Sequence, residues 1–164
     1  MDRMMVAIDP GLNGGIAWQF DGKVNAVKMP ETLGDIHTKL VDLATYGPKC
    51  VIEKVGDYMP GNSGPAAVKF ARHCGHLEMG LYAAGISTLK VAPSTWQHWL
   101  IGKPNYPKIP KEINAKERSR ILAHRKTERK NKIKDAVQRR FPDLKVTLAT
   151  SDALGILLWA LDKQ

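Results

Sequence analysis

The chain has 164 residues, 43% of them hydrophobic, and a formal net charge of +9. That length suits one domain (1–164) with a substantial core, and no run of about 20 apolar residues is available to span a membrane. The first residues run from Met1-Asp2-Arg3 straight into an apolar segment without signal-peptide architecture, and Cys50 and Cys74 fall in apolar patterns. Both features are those expected of a cytoplasmic protein with reduced thiols.

Residues 3 to 9 read as a buried strand. Pro10-Gly11-Leu12-Asn13-Gly14-Gly15 is a turn rich in residues that tolerate positive φ. Residues 16 to 20 form a second strand, Asp21-Gly22 a hairpin signal, and residues 23 to 29 a third strand, so the chain opens with an antiparallel meander. An amphipathic helix follows over 31 to 45, with Leu33, Ile36, Leu40 and Leu43 on one face. The next strand, 50 to 55, is expected parallel to the first because a helix crosses between them. Residues 56 to 64 have loop composition. A long helix over 65 to 84 carries the stripe Ala67, Phe70, Ala71, Cys74, Leu77 and Leu81.

Residues 87 to 92 form a short strand. Pro93 and Ser94 open a helix that Gly102 stops. Pro104, Pro107 and Pro110 mark a loop. Two basic helical segments are expected at about 115 to 124 and 127 to 140, and a last helix begins near Thr150 or Ser151 and runs to about 162. The order predicts an α/β fold, a mixed five-stranded sheet with helices on both faces.

The charge is concentrated. Residues 103 to 140 hold 14 of the 25 Lys and Arg and four of the 16 acidic residues, so the whole positive excess lies there. Such a segment points to a polyanion such as nucleic acid, against the alternative of a solvated helix face.

Three acids stand apart from the rest. Asp9 ends the apolar run from Met4 to Ile8, Glu53 ends Cys50-Val51-Ile52, and Asp152 opens the apolar stretch through Ala160. An unpaired carboxylate beside a core element is costly to bury, and a shared divalent metal reconciles all three. Singly, each has an ordinary reading: Asp9 as a turn residue, Glu53 as a strand-end surface acid, Asp152 as a charge on a helix N-terminus. His73-Cys74-Gly75-His76 lacks the second half of a zinc site, and Cys74 falls on the predicted core stripe.

These residues support a resemblance. Val6-Ala7-Ile8-Asp9-Pro10-Gly11 with Gly14-Gly15-Ile16-Ala17 resembles the first motif of the RuvC Holliday-junction resolvases, in the RNase H-like superfamily. Val51-Ile52-Glu53-Lys54-Val55 is similar to the second. Val91-Ala92-Pro93-Ser94-Thr95-Trp96 through Gly102 resembles the family's Ala-Pro helix, Lys130-Asn131-Lys132-Ile133 through Val137 its basic helix, and Ser151-Asp152-Ala153-Leu154-Gly155-Ile156 its terminal helix. The motifs run in order through nearly the whole chain, whose short length and spacing look like those of a phage or prophage member.

The resemblance implies an RNase H-like fold and Mg²⁺-dependent cleavage of four-way (Holliday) junctions or related branched DNA, in bacterial or phage-host cytoplasm. It implies two Mg²⁺ per site, with Mn²⁺ able to substitute, and no small-molecule cofactor. Asp9 would bridge the two ions, with Glu53 and Asp152 each helping to hold one. The DNA contacts would come from Lys103, Lys108, Lys111, Arg125, Lys126, Arg129, Lys130, Lys132 and Lys134, with Lys130 nearest the scissile strand; Tyr58 would either wedge or stack at an opened junction or simply pack its own loop. A two-fold junction calls for a homodimer, to which the small residues of the 65-to-84 helix are suited.

Three departures stand out. Ala149 occupies the place of the family's fourth ligand, for which Asp143, Asp57 or water would have to substitute. Gln97 replaces a basic residue. The connection over 103 to 127 is a longer, basic insertion. Other readings are an actin-like ATPase, which needs a second domain, a non-catalytic branched-DNA-binding module, and a nuclease for flaps or RNA–DNA hybrids.

Overall fold

The computed structural model describes residues 4–56 and 64–163. Five strands, β1 (Met5–Asp9), β2 (Gly15–Phe20), β3 (Lys23–Lys28), β4 (Lys49–Glu53) and β5 (Ser87–Val91), form one sheet in the order β3-β2-β1-β4-β5. The β1–β2 and β2–β3 pairs are antiparallel, and β4 runs parallel to both β1 and β5. The meander, the crossover and the mixed sheet are thus as the sequence predicts.

Side chains alternate across a strand. In β1, Met5 and Ala7 face one core cluster, while Val6 and Ile8 face the other. The second cluster is closed by α1 (Leu33–Ala44) through Ile36, Leu40 and Leu43, and by α2 (Gly64–Ala83) through Leu77 and Leu81. The first is closed by α3 (Pro93–Ile101), α4 (Ala115–Arg140) and α5 (Ser151–Asp162), with Trp96, Ile133, Val137, Leu154, Ile156 and Leu157 at its centre. Burying one large apolar side chain contributes roughly 1.5–3 kcal/mol, so α5, buried along most of its length, is the principal clamp on the sheet.

Local signals set the helix ends. Thr32 caps α1, its hydroxyl oxygen accepting from the Asp35 amide at 3.1 Å, and Asn114 caps α4 by accepting from the Glu117 amide at 2.9 Å. Gly102 ends α3 at φ 79°, a conformation glycine tolerates. After α4 the Gln138 side chain secures the turn, donating to the carbonyls of Phe141 and Leu144 and accepting from the Val146 amide.

The helices also depart from expectation. The two basic segments are one 26-residue helix, α4. No Gly or Pro interrupts it, and Thr127 is accommodated by donating its hydroxyl to the Ala123 carbonyl at 3.1 Å. In α1, Leu33 lies outside the buried stripe, 57% exposed. In α2, Ala67, Phe70, Ala71 and Cys74 are not fully buried, whereas His73 is. The reason is placement: α2 meets the sheet through its C-terminal half, so a helical stripe drawn along its whole length overstates what is covered.

Candidate functional site

The strand alternation that builds the core also places the acids. Asp9 follows Met5 and Ala7 in phase, and Glu53 follows Val51, so both project from the sheet face that α5 covers. Ile8 pairs with Ile52 across the parallel β1–β4 ladder, so Asp9 and Glu53 end neighbouring strands at the same level. Asp152 lies in the first turn of α5. Residues from the start, the first third and the end of the chain therefore meet at one edge of the sheet.

The loop after β1 is shaped to make room there. Gly11 adopts φ 115°, and the Gly14 amide donates to the Gly11 carbonyl at 3.0 Å. A Cβ on Gly14 would lie 2.1 Å from the Asp9 carbonyl oxygen, so only glycine permits the chain to turn back so closely against Asp9. At the other approach, a Cβ on Gly15 would lie 2.6 Å from the Ala149 carbonyl oxygen. Gly15 pairs with Asp9, which puts the turn before α5 beside the Asp9 strand end. In that turn the Thr150 hydroxyl engages Thr147, accepting from its amide at 3.0 Å, and does not cap the helix.

The three carboxylates share one electrostatic environment. Burial pushes Asp9 well above the usual carboxylate range, the charges of Asp152 and Glu53 push it further, and Lys130 pulls it back. Burial raises Glu53 to about 7; a hydrogen bond from Trp96 opposes this, Asp152 adds to it, and Arg129 and Lys130 oppose it. Asp152 is raised by burial and lowered by Lys130, Ser151 and Arg129. Ionising all three in so confined a space is unfavourable, and a cation other than the two α4 side chains would relieve it.

Glu53 has a fixed partner. Trp96 Nε1 donates to Glu53 Oε2 at 2.8 Å, and Trp96 is fully buried. A buried indole N–H requires an acceptor, and here the acceptor is a site carboxylate. From sequence, Trp96 reads as a core or interface anchor; the signal for more is its place on the Ala-Pro helix directly after the strand that pairs with Glu53. Among the described residues, no group of three or more His, Cys, Asp and Glu side chains is gathered as a ready-made ion cage.

The basic residues fall into distinct groups. Lys130 and Arg129, on α4, act on the carboxylates. Lys103, Lys108, Lys111 and Lys126 are exposed, and Lys134 is half-buried. Lys132 pairs with Glu128 at 2.7 Å. Arg125 is engaged within the fold, its guanidinium 4.8 Å from the Tyr106 ring centroid and donating to the Pro107 carbonyl at 2.7 Å. Tyr58 and Asp57 lie outside the described residues. Asp143 lines a hollow with Gln19, Gly22 and Val24, at the opposite end of β1 from Asp9, so it is not placed beside the three carboxylates. Among the described residues, no helix is long and apolar enough to cross a membrane.

No family model matches the chain, and no curated protein matches it by sequence. Solved structures do. The Thermus thermophilus RuvC structure superposes with a TM-score of 0.58 at 18% identity, covering 94% of this chain and 91% of that one. The T. thermophilus RuvC in complex with Holliday junction substrate gives 0.59 at 16% identity, covering 96% and 91%. The chain thus has the RuvC-like, RNase H-like fold over nearly its whole length.

Proposed function

We propose that the chain is a divalent-metal-dependent endonuclease that cleaves four-way junctions or closely related branched DNA. The observation that carries this reading is the convergence of Asp9, Glu53 and Asp152 on one sheet edge, under the charge of Lys130. Their all-oxygen donor set suits a hard cation such as Mg²⁺ or Mn²⁺. Asp9, Glu53 and Asp152 are the residues that would hold it. Bound there, such a cation would activate water and neutralise the leaving oxygen. Trp96 orients Glu53, and Lys130 favours the ionised carboxylates and approaches the scissile phosphate. The exposed lysines of 103–127 and α4 bind the flanking strands through phosphates, without reading bases. The fold shared with a RuvC solved on a Holliday junction supports the choice of substrate.

A homodimer would place two such sites on a two-fold junction. Val68, Met79 and Tyr82 are exposed on α2, the last at 80%, and with Arg72 and Gly75 they recur at alternating spacings of four and three. A Cβ on Gly75 would meet nothing within 4 Å. This outer stripe suits close packing against a second copy.

The alternative is a junction-binding module without catalysis, favoured by Ala149 at the fourth-ligand position. Incubating a synthetic four-way junction, a linear duplex and an RNA–DNA hybrid with the chain and Mg²⁺ or Mn²⁺ separates the readings. Selective junction cutting, abolished in Asp9→Asn with junction binding retained, is expected. Binding without cutting under any divalent ion would leave the module.

A further inference from the structure

Between α3, α4 and the segment that joins them is a cavity of about 650 Å³. This lies within the roughly 300–1,000 Å³ range of small-molecule sites. One wall is a single face of α3, with Ser94, Gln97 and His98; the other is a face of α4, with Glu128, Arg129 and Lys132. The lip is the stretch from Gly102 to Tyr106.

The walls are held in place. Gly102 turns the chain out of α3 at φ 79°. Arg125 fastens the returning segment to α4, with its guanidinium over Tyr106 and its hydrogen bond to Pro107, while the Tyr106 hydroxyl donates to the Arg125 carbonyl at 3.4 Å. Prolines at 104 and 107 stiffen the same stretch.

The cavity adjoins the carboxylates. Glu53 pairs with Val91, and two residues on, Pro93 lines the cavity. Arg129 lines it too, while acting on Glu53 and Asp152.

We propose that this cavity receives one unstacked nucleotide of the DNA strand being cut, and reads its base. The assignment rests on the nuclease reading above. Three chemistries meet there that a nucleotide needs together. Gln97 and Asn105 offer amide pairs able to donate and accept on one base edge. Tyr106 supplies an aromatic surface. With Glu128 and Lys132 paired to each other, Lys103 and Arg129 give the cavity its positive excess and so favour an anion. A metal ion would find too few carboxylates, and a neutral ligand would gain nothing from the cations. Gln97 stands where the resembling family has a basic residue, so a positive charge there is replaced by a group that can discriminate bases.

Two measurements test the assignment on the intact chain. In the first, the four deoxynucleoside 5′-monophosphates are titrated into isotope-labelled protein without metal. The side-chain amides of Gln97 and Asn105 should shift, more for one base than the others, and Gln97→Ala should remove that difference. Shifts confined to the lysines of α4, or none, overturn the proposal.

In the second, cut positions are mapped on a four-way junction whose branch point can move, each as a share of total cutting. Gln97→Ala and Asn105→Ala should flatten the distribution, lowering the preferred site's share relative to the others by about fivefold. An unchanged distribution overturns the assignment to the cut strand, even if free nucleotides bind. If the parent chain cuts nothing, the nuclease reading falls, and the first measurement still decides whether the cavity takes a nucleotide.

Discussion

The indole N–H of Trp96 points at the carboxylate of Glu53, 2.8 Å from Oε2, while its ring fills the space over Gly155, where a Cβ would come within 2.7 Å of Cζ3. One side chain thereby links the strand that carries Glu53 to the helix that carries Asp152. Trp96→Phe keeps an aromatic ring and deletes the donor. The hydrogen bond favours ionised Glu53, so its loss should push the Glu53 pKa above about 7. Half-maximal Mn²⁺ binding, followed by electron paramagnetic resonance against pH, should therefore move to higher pH. Stability in denaturant titration should fall by about 1–3 kcal/mol for the lost bond. If neither changes, the bond has no role in holding the site.

The raised carboxylates make the metal-free protein pH-sensitive in a particular direction. Glu53 rises from 4.5 to about 7 on folding, so between those values the native state holds a proton that the unfolded chain has lost. Stability contributed by that retained proton is full below about 4.5 and lost as pH rises through about 7. Glu53→Gln keeps an acceptor for Trp96 and removes the charge. In chelator, it should melt at a higher temperature than the parent at pH 8, with the gain disappearing near pH 4.5. A stabilising substitution at a functional carboxylate is the expected signature of a site that trades stability for chemistry. Equal melting temperatures for parent and variant at pH 8 would contradict the burial of this charge.

Much of this arrangement was legible in the residues. Alternation of apolar side chains in β1 and β4, with an acid at each C-terminal end, is enough to place Asp9 and Glu53 on one face once the strands are parallel neighbours. The helix crossing between them makes parallel pairing the expected outcome. Asp152 followed from an apolar helix opening on an acid. Less was legible where tertiary packing decides. Leu33 and the first half of α2 fit helical stripes, yet Leu33 is exposed and Ala67 and Phe70 are only half-buried, because periodicity says which face would be buried and not how far the sheet beneath extends. The unbroken α4 was hidden by a polar, highly charged sequence with little apolar periodicity in its first half. Arg125 looks like any other basic residue until the fold brings Tyr106 and Pro107 back against it. The Trp96–Glu53 bond joins residues 43 positions apart and has no local signature.

Gly155 is the counterpart of Trp96 in α5. Its missing side chain admits the indole, and a Cβ would also lie 3.2 Å from Leu100 Cδ2. Ala is the better helix former by roughly 1 kcal/mol, so local propensity and packing oppose one another at this position. Packing should win. Trp96 is fully buried and has nowhere to move without disturbing Glu53, and overpacking of a filled core typically costs about 1–3 kcal/mol. Gly155→Ala should therefore lower stability in denaturant titration despite its higher helix propensity, and should weaken Mn²⁺ binding. A stabilised variant would mean that α3 and α5 separate freely, and that Trp96 does not fix the distance between Glu53 and Asp152.

Lys130 acts on all three acids at once, lowering the pKa of Asp9, Glu53 and Asp152. Two consequences of removing it can be separated. Through the carboxylates, Lys130→Ala should raise the pH needed to ionise the site, so that at neutral pH less Mn²⁺ is bound. Through DNA, loss of one phosphate contact should reduce the slope of log affinity against log salt by about 1. Lys126→Ala, on the exposed part of the same helix, should change the salt slope alone, because it does not act on the carboxylates resolved above. Junction binding measured over a salt series, alongside metal binding over a pH series, distinguishes the two lysines. If both variants behave alike in both series, Lys130 is only another member of the basic surface, and its apparent coupling to the acidic cluster has no functional weight.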